Sequence, residues 1–144
     1  MLLDTNTLLR TLQPLHPQRD TARVAIKSLT ARGRDLHIVP QNLMELWVVA
    51  TRPVSQNGLG LSNTEAEAEL MRLKSMFPML PDTPAIYPAW ESLVIRYRVS
   101  GKPDDARLVA AMQVHGLTAI LTFDKAGFSR YAGIEVVDPA NAAT

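Results

Sequence analysis

No cysteine occurs among the 144 residues, which excludes disulfide staples and thiolate metal centres. No apolar run approaches the ~20 residues that cross a bilayer as a helix. The opening stretch MLLDTNTLLR is too short in apolar length and too acidic for a secretory leader. A cytoplasmic location with no membrane partner is the expectation from these absences. A net charge excess is lacking as well: 15 basic against 14 acidic residues leave +1, so the whole molecule is not a polycation. There is no internal repeat, low-complexity tract or linker-like stretch. An apolar fraction of 47% and a charged fraction of 20% are ordinary for a globular protein. Residues 1–144 are expected to form one domain with a substantial core.

Charge is distributed unevenly. From Arg10 to Arg34 six basic residues (Arg10, Arg19, Arg23, Lys27, Arg32, Arg34) face one acid, Asp20, and a second group holds Arg96, Arg98, Lys102 and Arg107. Such faces can hold phosphates, or can simply be the solvated sides of helices.

The most informative stretch runs from Asp104 to Asp124. Asp104, after Lys102-Pro103, suits a helix cap. Ala106 to His115 has good helix formers with Leu108, Val109 and Met112 on one face, and Gly116 is placed to close the helix. Ala119 to Phe123 then reads as a parallel strand buried on both faces, ending at Asp124. The first residues repeat the arrangement: an apolar Met1-Leu2-Leu3 ends at Asp4. Ligands of open α/β sheets sit beyond the carboxyl ends of the strands, so Asp4 and Asp124 are expected at one edge.

Between these, the sequence predicts helices to about Leu12 and from Gln18 to Ala31. A strand is expected over Leu36–Val39, then a helix after Pro40 to Arg52. A further helix follows the capping box Ser62-Asn63-Thr64-Glu65 and runs to Phe77. Met79-Leu80 reads as a short strand, 83–98 as a helix, Ile134–Val137 as the last strand, and 140–144 as a frayed tail. Alternating strands and helices call for a three-layer α/β/α fold around a mostly parallel sheet of about five strands.

Glu45 is the third informative residue. It stands in the apolar run Leu43-Met44-Glu45-Leu46-Trp47, where an ionised carboxylate is costly unless paired or bound to metal. Asp105, one of two adjacent acids at a helix start, completes a set with Asp4, Glu45 and Asp124. Taken singly, each has an ordinary explanation: a strand-end turn, a rim position reaching water, a helix N-terminus or an Asx turn. Together, with no lysine evidently paired to them, they form a self-repelling cluster that calls for a cation. Oxygen ligands without cysteine or a histidine array favour Mg²⁺ or Mn²⁺, and such ions assist phosphodiester hydrolysis. The three histidines, His16, His37 and His115, lie in a loop, a strand and a helix end and form no site. Trp47 and Trp90 sit at helical spacings suited to core or interface.

The pieces MLLDTNTLLR, QNLMELWVVATRP, GKPDDARLVAAMQVHGL and AILTFDKAGF, in that order and spacing, resemble PIN-domain proteins of the VapC-like toxin family over nearly the whole chain. By that resemblance Asp4, Glu45, Asp105 and Asp124 match the family's four acids as catalytic and metal-binding residues. Asp105 is chosen over Asp104 because it directly precedes the Ala-x-Leu run. Asn6 and Thr122 match polar positions that line such sites. The resemblance implies a metal-dependent ribonuclease of an RNA substrate, a toxin neutralised by a small antitoxin, a homodimer, and a helix-pair clip over about 43–77 that helps bind partners. Two positions depart from the pattern: Asp104 stands where relatives often carry histidine, and Gly127 where many carry a further aspartate.

Two other readings compete. A haloacid-dehalogenase-like phosphatase also begins on an apolar strand and an acid, but needs a second aspartate where this chain has Asn6. A non-catalytic PIN-like scaffold binding RNA or protein is the rival from a different class, and retention of all four acids weighs against it.

Overall fold

The computed structural model describes residues 1–142. Its elements are β1 (Leu2–Leu3), α1 (Thr5–Thr11), α2 (Arg19–Ala31), α3 (Pro40–Thr51), α4 (Asn63–Met76), α5 (Ile86–Arg96), α6 (Pro103–Val114), β2 (Ala119–Leu121), α7 (Lys125–Phe128), β3 (Glu135–Val137) and α8 (Pro139–Ala142), with a 3₁₀ turn at Val54–Gln56. The three strands pair in parallel in the order β1-β2-β3, with Leu2 opposite Ile120 and Leu3 opposite Leu121.

Because side chains alternate across a strand, the sheet divides two layers of helices. Leu3 and Leu121 face a core of α1, α2, α3, α4 and α8 that includes Leu8, Ile26, Leu46 and Leu73. Leu2 and Ile120 face the opposite core, built on α5 and α6 with Leu93, Leu108, Val109 and Met112, and closed by Phe128 and Tyr131. Each fully buried Leu or Ile of this kind contributes roughly 1.5–3 kcal/mol of transfer free energy. The α/β architecture and the three layers are as expected.

The strand count is not. The sheet has three strands rather than about five. The segment 36–39 runs parallel beside β1 and the segment 79–80 parallel beside 36–39, but each pairing is only an isolated bridge, Leu2 with His37 and Ile38 with Met79. Proline is the physical reason. Pro40 ends the first segment by starting α3, and Pro78 and Pro81 bracket the second, so neither ladder finds further N–H donors.

Three smaller expectations also give way. Asp104 does not cap α6: Pro103 takes the first helical position and Lys102 the cap, with no side-chain cap bond, the usual placement of proline at a helix start. The helix expected over 83–98 is shorter, Ile86–Arg96. Residues 140–142 are not frayed but belong to α8, whose Ala142 is buried in the core and whose last carbonyl accepts a hydrogen bond from Arg32; residues 143 and 144 lie outside the described part. The capping box at Ser62 and Glu65 and the positive φ of Gly116 (70°) are as read.

Candidate functional site

The acids meet where β1 and β2 end. Asp4 follows β1 and serves as N-cap of α1, with Thr5 N–H donating to its Oδ1 at 2.7 Å. Its backbone N–H donates to Leu121 O at 3.0 Å, so the end of β2 fixes its height. The Thr122 hydroxyl donates to Asp4 Oδ2 at 2.6 Å, and the hydroxyl oxygen in turn accepts from Asn6 Nδ2 (3.2 Å) and from Asp124 N–H (2.9 Å). Asn6 and Thr122 therefore hold the carboxylates in position. At 6% exposure Asp4 is desolvated. Burial pushes its pKa from the ordinary 3.8 up to about 6; the Thr122 hydrogen bond opposes the shift, and the charges of Asp105 and Glu45 add to it.

Glu45 projects from the middle of α3. Its Oε1 accepts from the Thr5 hydroxyl at 2.9 Å, which ties α3 to the first residue of α1. Burial raises its pKa, the Thr5 hydrogen bond works against that, and the charges of Asp104 and Asp105 reinforce it. Asp105 lies half-buried in the first turn of α6, its pKa raised by burial and lowered in part by Lys102. Asp124 follows β2 and caps α7 by accepting from Gly127 N–H at 3.1 Å. A Cβ at Gly127 would stand 2.5 Å from Asp124 Oδ2 and 3.1 Å from Asp105 Oδ2. The two carboxylates are thus neighbours, and glycine is what leaves room for them.

The expectation that no lysine pairs with the cluster is overturned. Lys102 Nζ sits 3.1 Å from Asp124 Oδ2. That hydrogen bond holds Asp124 below its ordinary pKa and raises that of Lys102, which also feels the charges of Asp105 and Asp4. The sequence hides the pair because the partners are separated by the whole of α6.

Four further residues had no clear sequence signal. Thr5 is the link between Asp4 and Glu45. Asn42, fully buried, donates to Leu3 O and Thr5 Oγ1 and accepts from Val39 N–H, locking the start of α3 to the end of β1. Gln41 donates to Asp104 O at 2.8 Å, joining α3 to α6. Lys102 is the fourth. Asp104 itself is exposed, on the side of Glu45. Of the histidines, the His115 ring bonds Pro81 O and the His16 ring accepts from the local Gln18 N–H, neither of them an acid of the edge. Trp47 packs partly against the core of the α1–α4 layer and Trp90 against that of the α5–α6 layer.

A sequence profile of the PIN domain matches residues 1–134. The chain belongs to the PIN-domain family. Solved structures similar to this PIN domain include VapBC and other toxin–antitoxin complexes. VapBC2 of Rickettsia felis, bound to a promoter DNA fragment, aligns over 95% of this chain and 96% of its own with TM-score 0.73 and 13% identity. A toxin–antitoxin complex of Klebsiella pneumoniae covers 96% of both chains with TM-score 0.67 and 23% identity. VapC20 of Mycobacterium tuberculosis, a toxin that cleaves the sarcin–ricin loop, covers 89% and 92% with TM-score 0.65 and 21% identity. No curated protein matches the PIN domain in sequence.

The donor set of this PIN domain is all oxygen, the set suited to a hard divalent ion. Among the described residues no three Asp, Glu, His or Cys side chains close on a common point as a metal cage. The acids line an edge instead. That arrangement fits Mg²⁺, which keeps several waters and needs one or two carboxylates together with a substrate phosphate.

Proposed function

We propose that the chain is a Mg²⁺- or Mn²⁺-dependent endoribonuclease, the toxin of a toxin–antitoxin pair, with Asp4, Glu45, Asp105 and Asp124 as metal ligands and catalytic residues. The observation that carries the reading is Asp4, a buried carboxylate with a pKa of about 6 beside Asp105 and Glu45. An arrangement that raises the energy of its own charged groups is characteristic of functional sites. Release of RNA fragments in the presence of Mn²⁺, abolished by EDTA, tests the reading against the non-catalytic scaffold. Several RNAs and single-stranded DNA as substrates define its scope.

In this reading the four acids would line the ion's edge, the ion keeping several waters and taking one or two carboxylates together with a substrate phosphate. A divalent cation supplies charge to the phosphoryl oxygens and acidifies a water molecule. The protein supplies fixed geometry. Thr5 N–H and the Thr122 hydroxyl leave Asp4 no free rotation, the Thr5 hydroxyl positions Glu45, and Gln41 holds the start of α6, which carries Asp105. Lys102, 3.1 Å from Asp124 Oδ2, would offer a substrate phosphate a cation at the same edge.

The room that Gly127 leaves for two carboxylates gives a prediction. An added methyl group there meets the end of the Asp124 side chain rather than backbone, so the fold adjusts by moving the carboxylate. Gly127→Ala is expected to change metal-free stability by less than about 1 kcal/mol. Calorimetric titration of Mn²⁺ is expected to show binding weakened about tenfold. Unchanged Mn²⁺ affinity excludes Asp124 from the metal site.

We also propose a homodimer and a cognate antitoxin. On α3, Met44 and Val48, 56% and 52% exposed and one turn apart, form an uncovered apolar face, and Met71 of α4 is exposed as well. Light scattering at micromolar concentration is expected to give twice the 15.9 kDa chain mass. Met44→Glu with Val48→Glu is expected to return it to the monomer value, and a monomeric wild type refutes the dimer. A groove of about 1180 Å³ between α2 and α4 is lined by Val24, Ile26 and Phe77 and by four cations, of which Arg19 pairs with Asp20 and Arg72 with Glu69, leaving Arg23 and Lys27 as its excess charge. An acidic, partly apolar antitoxin segment fits that surface by charge.

A further inference from the structure

A second concave site lies on the far side of α6, between α5 and the segment after Met79. It encloses about 460 Å³ and is lined by Asp82, Thr83, Ile86, Tyr87, Trp90 and Arg107, within the size range of small-ligand pockets. Tyr87 and Trp90 stand one turn apart on α5 with ring centroids 5.8 Å apart and planes 34° apart. Tyr87 is 64% exposed, so its ring, tilted against Trp90, keeps open surface toward solvent. The Thr83 hydroxyl is buried without a hydrogen-bond partner, an unmet polar group that calls for explanation.

Charges in the pocket are matched. Arg107 Nη2 lies 3.5 Å from Asp82 Oδ2, and the Tyr87 hydroxyl pairs with Glu91. A phosphate entering here meets the Asp82 carboxylate and an Arg107 already paired with it, whereas a flat uncharged ring meets an aromatic face with a guanidinium beside it. Both surfaces suit an unpaired nucleobase. The pocket is also connected to the acids. Trp90 Nε1 donates to Pro103 O at 2.9 Å, immediately before Asp104 and Asp105, and Arg107 stands one helical turn beyond Asp104.

We propose that this pocket is a subsite for one unpaired nucleobase of the RNA strand whose phosphodiester lies at the acidic edge, the base stacking on Tyr87 beside Arg107. The inference rests on the ribonuclease reading. It selects single-stranded over duplex RNA, because a paired base has no free face to offer.

The test uses the full chain in EDTA, so that no turnover intervenes, with a short fluorescein-labelled single-stranded oligoadenylate followed by anisotropy. Tyr87→Ala is expected to weaken binding about tenfold or more, and Tyr87→Phe to stay within about twofold of wild type, since stacking needs the ring and not the hydroxyl. The exposed position of Tyr87 leaves the fold intact, which a thermal melt verifies. Wild-type affinity in Tyr87→Ala, or no measurable affinity in the unsubstituted protein, overturns the subsite whether or not RNA is cleaved. A pocket that seats a protein partner produces that same unchanged affinity. Tyr87-dependent binding without Mn²⁺-dependent cleavage retains the subsite and overturns the ribonuclease reading alone.

Discussion

Asp4→Asn is expected to reduce Mn²⁺-dependent RNA cleavage by ~10³-fold or more, about 4 kcal/mol at 1.36 kcal/mol per decade. The substitution keeps the shape and the acceptor for Thr5 N–H, removes the charge, and puts an amide NH₂ where the Thr122 hydroxyl donates, so the loss combines the charge with that hydrogen bond. Asp105→Asn is expected to act in the same direction. Both proteins should retain the circular dichroism and cooperative melt of the wild type. Wild-type cleavage rates in Asp4→Asn refute the site, because no other acid has both its burial and its neighbours.

The second large effect is a crossover in stability. With a folded pKa of about 6 against an ordinary 3.8, Asp4 binds its proton more tightly in the folded state. Stability from that difference is fully present below pH ~4 and is lost as pH climbs through ~6. The loss is about 3 kcal/mol, at roughly 1.36 kcal/mol for each tenfold gain in proton affinity. Glu45 and Asp105 shift the same way and add to the decline; Asp124 shifts oppositely. Without metal at pH 7, Asp105→Asn, which lifts one charge from beside Asp4 and takes no acceptor from Thr122, is therefore expected to melt at or above wild type. A cation bound only by the folded protein adds roughly 2.7 kcal/mol at a hundredfold excess over Kd, most of it to wild type. Thermal melts at pH 5 and pH 7, first in EDTA and then in Mn²⁺, read the crossover. Equal metal-induced changes in melting temperature in the two proteins exclude a shared site.

Much of this site is legible in the chain because two of its acids are placed by strand ends. A buried strand announces itself as a short apolar run, and the first polar residue after it marks the edge; Asp4 and Asp124 are found that way. Glu45 is legible for a different reason, as one charge in an apolar helix face. What the sequence conceals depends on contacts between distant segments. The Thr5 hydroxyl reaches Glu45 across 40 residues, and Lys102 reaches Asp124 around an entire helix. The docking of α8 rests on Arg32 and Ala142, 110 residues apart. Apolarity alone also overstates the sheet: Leu36–Val39 has the composition of a strand, but the prolines that follow it and that flank Met79-Leu80 cut both pairings to single bridges.

Lys102 has a mechanical property that none of the acids shares. Asp4, Glu45 and Asp105 are each fixed by a strand end or a helix backbone, and Asp124 by its own cap on α7. Lys102 caps α6 beside Pro103, so its backbone is fixed like theirs, and what is free is its long side chain, 62% exposed and tied by one contact to Asp124. The negative pole of this edge is held by a frame of hydrogen bonds, and the positive pole rests on a single exposed ion pair. A cation at the edge would displace the ammonium by turning one side chain, with the carboxylate frame left undisturbed.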